Sequence, residues 1–412
     1  MSEPTSSLKS RVSFLIELAR RLHQYGTTAL RLEDALSGVA QRLGLHAEVW
    51  SSPTAIILSF GDDAQGADGV AQVTQVVRLP PGDVNLARLC EVDDIADDVI
   101  ERRIGIDEGV RQLRQLTQPL DRAHATGMVL GYALSVFGFA GVIGGTWADA
   151  LAAAGIGAMI GGIVLLAQHW PRLAPATEAV TALLATAVAS VVSIWLWPVH
   201  VSLVVLAAVI VLVPGMMLTT AVRELSAVHL VAGVSRLFGA LSSMLKLIFG
   251  YVVVMQFVAW MGLRLPDVSA ASMTGWALWL ALVLGSFGFA LVFLARRRDW
   301  LLVALSAMAG YLMARYAGAE FGAGAGVFIG GLVLGALSNV YARVTSRPGA
   351  LIREPGIILL VPGSVGYRTL VALAENDVGS GGHTAVILVT ILVALVAGLL
   401  FGDMLVAPRR SL

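Results

Sequence analysis

A chain of 412 residues that is 57% hydrophobic and only 14% charged is too apolar for a soluble globule, in which about 25% of residues carry charge. Its 28 basic and 28 acidic residues cancel, so no basic excess is available to neutralise phosphates and no nucleic-acid partner is expected. The single cysteine, Cys90, excludes a disulfide framework and a cysteine-based zinc site.

The neutral total hides a division. Residues 1–122 carry 13 Lys/Arg against 18 Asp/Glu, whereas residues 123–412 carry 15 against 10. The expectation is a cytoplasmic α+β domain over 1–120 followed by a polytopic α-helical membrane protein. The opening MSEPTSSLKSR has no early apolar stretch, so no signal peptide is expected.

In chain order, Phe14, Leu18, Leu22 and Tyr25 recur at helical spacing before Gly26. Leu32, Ala35, Leu36, Val39, Ala40 and Leu43 make a second helical face, ended by Gly44. His46–Trp50 and Thr54–Phe60 are rich in strand-forming residues and meet at Ser51-Ser52-Pro53. A polar loop spans Gly61–Gly69, and Val73–Leu79 reads as a third strand. Leu86, Leu89, Ala96 and Val99 indicate a third helix, and Ile106, Val110 and Leu113 a fourth.

This part holds little chemistry. Asp62, Asp63 and Asp68 fit no standard ligand spacing, so no metal is expected. Asp94, Asp97, Asp98 and Glu101 lie on one helix face, either solvated or docking on a basic membrane-facing surface. His23, His46 and Cys90 lack a nucleophile–base pattern, and Ser51, Ser52 and Thr54 read as turn residues. No enzyme and no cofactor are expected.

Ten apolar spans follow: Ala123–Ala148, Ala150–Pro171, two within Ala179–Val222 divided at Trp195–Pro198, Leu237–Leu263, Val268–Ala295, Trp300–Ala314, Phe321–Ala342, Pro355–Tyr367 and Val378–Gly402. With the N-terminal domain inside, eleven arginines flank the inner ends and only Arg264, Arg315 and Arg368 the outer ones. That bias places both termini in the cytoplasm.

One segment repeats. Leu-Val-Pro-Gly occurs at 212–215 and again at 360–363, each copy leading into an apolar helix with a glycine at the same offset, Gly250 and Gly398. No comparable match joins spans one to three with six to eight. Both copies fall in the fourth span of a five-helix half, and two halves of five must face opposite ways. The pattern is that of a 5+5 inverted repeat, with halves at 121–265 and 266–412, in which interrupted spans mark a midplane substrate site.

Pro214-Gly215 and Pro362-Gly363 free backbone groups, which membranes tolerate only around a cavity or in protein packing. Thr219, Thr220, Ser364 and Tyr367 supply hydroxyls nearby, and Arg368 a cation. Glu224 and Asp377 are candidate proton carriers or interfacial loop acids. Arg223 adjoins the first, and Lys246 either snorkels or pairs with a carboxylate or the substrate. Gln256, Asn339 and Asp403 are further polar helix residues.

The chain resembles the threonine/serine exporter (ThrE) family over FLIELARRLHQYGTTALRLEDALSGVAQRLGL (Phe14–Leu45), SSPTAIILSF (Ser51–Phe60), VVRLPPGDVNL (Val76–Leu86), GIDEGVRQL (Gly105–Leu113) and the two Pro-Gly segments. The resemblance implies export of L-threonine, L-serine and similar solutes driven by the proton motive force, in a bacterial inner membrane. Where the family tends to show Asn and Asp-Leu after the first Pro-Gly, this chain has Thr220 and Glu224-Leu225. Export of a small dicarboxylate such as succinate, and a membrane-anchored enzyme or sensor, remain alternatives. The expected partners are the small-molecule substrate, protons and the lipid bilayer, with a homo-oligomer open.

Overall fold

The computed structural model describes residues 7–62, 73–117, 122–268, 270–375 and 377–408. Asp63 and Asp68, and the tail arginines Arg409 and Arg410, lie outside the described residues.

The N-terminal part opens with α1 (Leu8–Gln24), whose start is capped by Ser7 accepting the Ser10 N–H at 3.2 Å. Gly26, at φ +86°, turns the chain where a Cβ would press on the Val84 backbone. Helix α2 (Ala29–Arg42) follows, then β1 (Leu45–Ser52), β2 (Ala55–Asp62) and β3 (Val73–Arg78) in one antiparallel sheet of that order. The tight Pro53-Thr54 turn sets Ser52 opposite Ala55, and alternation along β2 turns Ile56, Leu58 and Phe60 into the core. They meet Phe14, Leu18, Leu22, Leu32 and Leu36 from the first two helices, and Val92, Val99 and Leu113 from α3 (Leu86–Ile100) and α4 (Ile106–Gln115). The four helices and three strands expected here are present, while residues 63–69 of the expected polar loop lie outside the described residues.

The membrane part continues with α5 (Arg122–Val142), α6 (Trp147–His169), α7 (Thr177–Val191), α8 (Val201–Val209), α9 (Gly215–Ser226) and α10 (Leu230–Trp260). It ends with α11 (Trp276–Val292), α12 (Trp300–Phe321), α13 (Ala323–Thr345), α14 (Ala350–Ile358), α15 (Gly363–Ala374) and α16 (Val378–Leu405). Among the described residues eight helical segments are long and apolar enough to cross a membrane, with α14 and α15 forming one of them and the 17-residue α11 falling short. The chain is a polytopic helical membrane protein with a small sheet in its N-terminal region.

Several expected boundaries move, each for a physical reason. Helix α10 starts at Leu230, not Leu237, because Arg236 turns its guanidinium inward to Glu224 at 3.0 Å. Helix α12 runs on through Arg315 to Phe321, the arginine being exposed and donating to the Tyr311 hydroxyl at 3.1 Å. The segment expected as a short span at Pro355–Tyr367 is two helices, α14 and α15, covering 350–374 with a break between them.

Glycines govern how the helices meet. Helices α5 and α11 cross antiparallel, and a Cβ on Gly138 would overlap the Gly285 backbone. Gly250 of α10 lies against Ala179 and Leu183 at the α7 side, and Gly398 of α16 lies against Phe328 and Leu332 of α13. Close approach of small residues is how helices gain packing energy in lipid.

The N-terminal domain is seated on the membrane part. The Leu86 and Ala87 N–H groups donate to the carbonyls of Phe293 and Leu294 at 2.9 and 3.2 Å. Around them Leu86 and Cys90 pack with Phe289, Phe293 and Leu351, and burial pushes the Cys90 thiol up to about 11. From the acidic face of α3, Asp94 takes Arg296 at 3.3 Å, while Asp98 and Glu101 pair with Arg103 of their own domain.

Candidate transport site at the paired helix breaks

The two Pro-Gly segments have the same local structure. At the first, the N–H groups of Leu212 and Val213 both donate to Val209, at 2.8 and 2.9 Å; at the second, Leu360 and Val361 both donate to Ile357, each at 2.9 Å. Proline has no N–H with which to continue the ladder. Pro214 and Pro362 stand at φ/ψ of −77°/45° and −80°/36°, and α9 and α15 begin at the following glycines.

The breaks also touch. A Cβ on Gly215 would overlap Val361 and stand 3.2 Å from the Gly363 Cα, while one on Gly363 would meet Val213 at 2.9 Å and the Gly215 Cα at 3.4 Å. Each valine therefore covers the opposite glycine. Two helix N-termini, each with partial positive charge, converge at this crossing.

Several expected site residues gather here. Thr219 is buried and donates back to the Gly215 carbonyl at 3.2 Å, with Thr220 and Ser364 half-buried on the same two helices. Tyr367 is buried, its ring edge-on to Tyr251 of α10 at 6.4 Å. Its hydroxyl has no hydrogen-bond partner among the described residues. Tyr251 in turn donates to Glu375 at 3.5 Å.

Others stand elsewhere. Arg368 is exposed. Asp377 caps α16 by accepting the Ser380 N–H at 3.0 Å, and hydrogen bonds from the Ser380 side chain and then its backbone hold the Asp377 carboxyl below the ordinary range. Lys246 faces Glu178 of α7 at 3.5 Å, and Ser243 donates to the same carboxylate at 3.0 Å. Gln256 is exposed on α10.

Charged groups fill the end of the membrane part nearest the N-terminal domain. Glu224 is buried, accepting from Arg236 at 3.0 Å and from the Ala29 N–H, the first of α2, at 3.2 Å. Arg223 pairs with Asp403 of α16. Asn339 donates to Asp403 and to the Val406 carbonyl, both at 2.7 Å. Arg353 of α14, only 2% exposed, donates to Ser338 and Asn339 at 3.0 and 3.1 Å and stands 3.8 Å from Asp403.

Arg353 was not singled out in the sequence, where it reads as a loop charge two residues before Pro355. Asp149 is a second buried charge of this kind. It is fully buried, takes the Thr146 N–H at 2.8 Å and His200 at 2.8 Å, and ties the start of α6 to that of α8. The Thr-x-x-Asp spacing of a capping box was its available signal. Among the described residues no cluster of metal-ligating side chains occurs.

Comparison with known proteins gives these features a family setting. A family model described as "Putative threonine/serine exporter" matches residues 13–258, and one described as "Threonine/Serine exporter, ThrE" matches 278–405. An uncharacterized protein of Schizosaccharomyces pombe, C7D4.12c, is 24% identical, over 98% of this chain and 57% of its own length. Pheromone-regulated membrane protein 10 of Eremothecium gossypii is 25% identical, over 92% of this chain and 52% of its own. Its Debaryomyces hansenii namesake is 26% identical, over 89% and 37%. The chain thus spans about half the length, or less, of these curated relatives. No solved structure matches. The bacterial inner-membrane setting expected from the sequence is corrected here, because these named relatives are fungal membrane proteins.

Proposed function

Because the chain belongs to the threonine/serine exporter family, we propose that it moves small hydroxy amino acids across a membrane through the paired Pro-Gly breaks. The observation that carries this reading is the exchange of contacts at the crossing, Val213 on Gly363 and Val361 on Gly215. In this reading α8 with α9, and α11, complete a set of ten crossings. The halves, 121–265 and 266–412, are inverted copies behind an N-terminal domain at 1–120. The recurring offset supports it: Gly215 and Gly363, like Gly250 and Gly398, are 148 positions apart, and Gly138 and Gly285 are 147 apart.

The chemistry follows from the groups at the crossing. Converging helix N-termini attract a carboxylate. Carbonyls released by the breaks attract an ammonium. The unpartnered Tyr367 hydroxyl reads the substrate hydroxyl, with Thr219, Thr220 and Ser364 beside it. Glu224 is the coupling acid in this scheme: a proton on it breaks its pair with Arg236 and weakens its hold on α2.

The test is counterflow of labelled threonine in proteoliposomes holding the full chain, with serine, alanine and succinate as competitors. Threonine and serine are expected to compete, and Tyr367→Phe to reduce the preference for threonine over alanine about tenfold, the worth of one buried hydrogen bond. Flux of succinate without threonine would replace this reading with dicarboxylate export.

A further inference from the structure

Beneath the charged end of the membrane part, where the N-terminal domain is seated, lies a cavity of about 50 Å³. Its polar lining is Tyr25, Thr27 and Thr28 ahead of α2, Arg31 of α2, Asp93 from α3, and Arg353 and Glu354 from α14. Both parts of the molecule supply walls, and the family reading above assigns this space nothing.

The guanidinium groups here have donors to spare. Arg31 makes no ion pair or side-chain hydrogen bond among the described residues, although Arg223, Asp403 and Glu354 act on it electrostatically. Burial and the neighbouring Arg223 push it down to about 10, so it is still a cation at neutral pH. Arg353 is 2% exposed, and its Nε has no partner. Its other bonds go to Ser338 and Asn339, away from α2. The buried Thr27 Oγ1 also lacks a partner. A lone buried donor is costly, and two of them, on Thr27 and Arg353, beside the half-buried Arg31 call for an acceptor.

We propose that this joint binds a small oxyanion, the carboxylate or phosphate group of a soluble solute, between Arg31 and Arg353. The planar forks of two arginines suit a multi-oxygen anion. A water needs about 10–15 Å³ of such space, so the cavity admits a group of a few heavy atoms and excludes a large ligand. Asp93 and Glu354 on the wall restrict the anion to the arginine side. Because α2 and α14 both hold it, the anion favours the seated arrangement of the N-terminal domain, and α14 leads directly into the second break.

Thermal melting of the purified full chain in detergent, at constant ionic strength, tests this with sodium phosphate, acetate, chloride and threonine as probes. A saturable rise is expected with phosphate or acetate and not with chloride. Arg31→Gln should weaken the apparent affinity about tenfold or more, the value of a charge-assisted bond. Arg297→Gln, an equal charge change at an exposed arginine, should leave it unchanged. A threonine response lost in Arg31→Gln but kept in Tyr367→Phe would identify an amino-acid carboxylate as the source; a response to phosphate alone would identify a phosphate. If Arg31→Gln does not fold, Thr27→Val gives the same reading, with a severalfold weaker affinity expected. The absence of a saturable rise in the wild type, or one that neither variant alters, would overturn the proposal whatever the transport assay shows.

Discussion

The two interrupted helices share a backbone and differ in what their far ends touch. At the crossing the prolines, glycines and valines are equivalent to within about ten degrees and half an ångström. Beyond it, α9 ends in Arg223 and Glu224, both buried and tied to α16, α10 and the N-terminal domain. Helix α15 ends in exposed Ala374 and Glu375, with one long bond from Tyr251. Equal backbones form the crossing. Among the described residues, the end of α9 is the one of the two that touches the N-terminal region.

The sharpest way to break that comparison is to fill the crossing from either side. Gly215→Leu and Gly363→Leu each insert a side chain where a Cβ already meets the opposite valine. Overpacking costs about 1–3 kcal/mol, and threonine flux in proteoliposomes should fall about tenfold to a hundredfold in both variants. A loss in only one would end the equivalence.

The unequal ends predict unequal stability effects. Asp403→Asn leaves Arg223 and Arg353 without their carboxylate, and breaking a buried pair costs about 3–5 kcal/mol, read by denaturant unfolding. Glu375→Gln, at the exposed end of α15, should change stability by less than about 0.5 kcal/mol. Glu224→Gln keeps an acceptor for the Ala29 N–H but loses the charge facing Arg236. About 1–3 kcal/mol is expected, together with loss of the pH dependence of flux in side-by-side liposome assays.

The smallest effect lies inside the N-terminal domain. Burial lowers His23 below its ordinary 6.5 despite its bond to the Pro80 carbonyl. The unfolded chain then takes up a proton before the folded one does, so stability falls as pH drops below about 6.5. His23→Gln should flatten that part of the melting-temperature profile.

How much could be read in advance follows from which forces are local. The N-terminal helices and strands were legible because Phe14, Leu18 and Leu22 repeat at one period and Ile56, Leu58 and Phe60 at another. The breaks were legible because Pro-Gly is a local signal and was seen twice. The proximity of Gly215 to Gly363, and of Glu224 to Ala29, joins residues 148 and 195 positions apart, and no local pattern encodes it. Arg353 was missed for the same reason: its value comes from Ser338, Asn339 and Asp403 around it, not from its neighbours in sequence.

The bonds from Leu86 and Ala87 to Phe293 and Leu294 have a mechanical consequence. The start of α3 meets the end of α11, so the free donors of one helix satisfy the free acceptors of the other and their dipoles run in series. This seam is mainly backbone and apolar, with the Arg296–Asp94 pair at its exposed edge. The opposite edge, where α2 meets Glu224 and Glu33 meets His229, is held by titratable side chains. The two edges of this contact therefore differ in kind: backbone bonds and apolar packing at α3–α11, side-chain ion pairs and hydrogen bonds at Glu224.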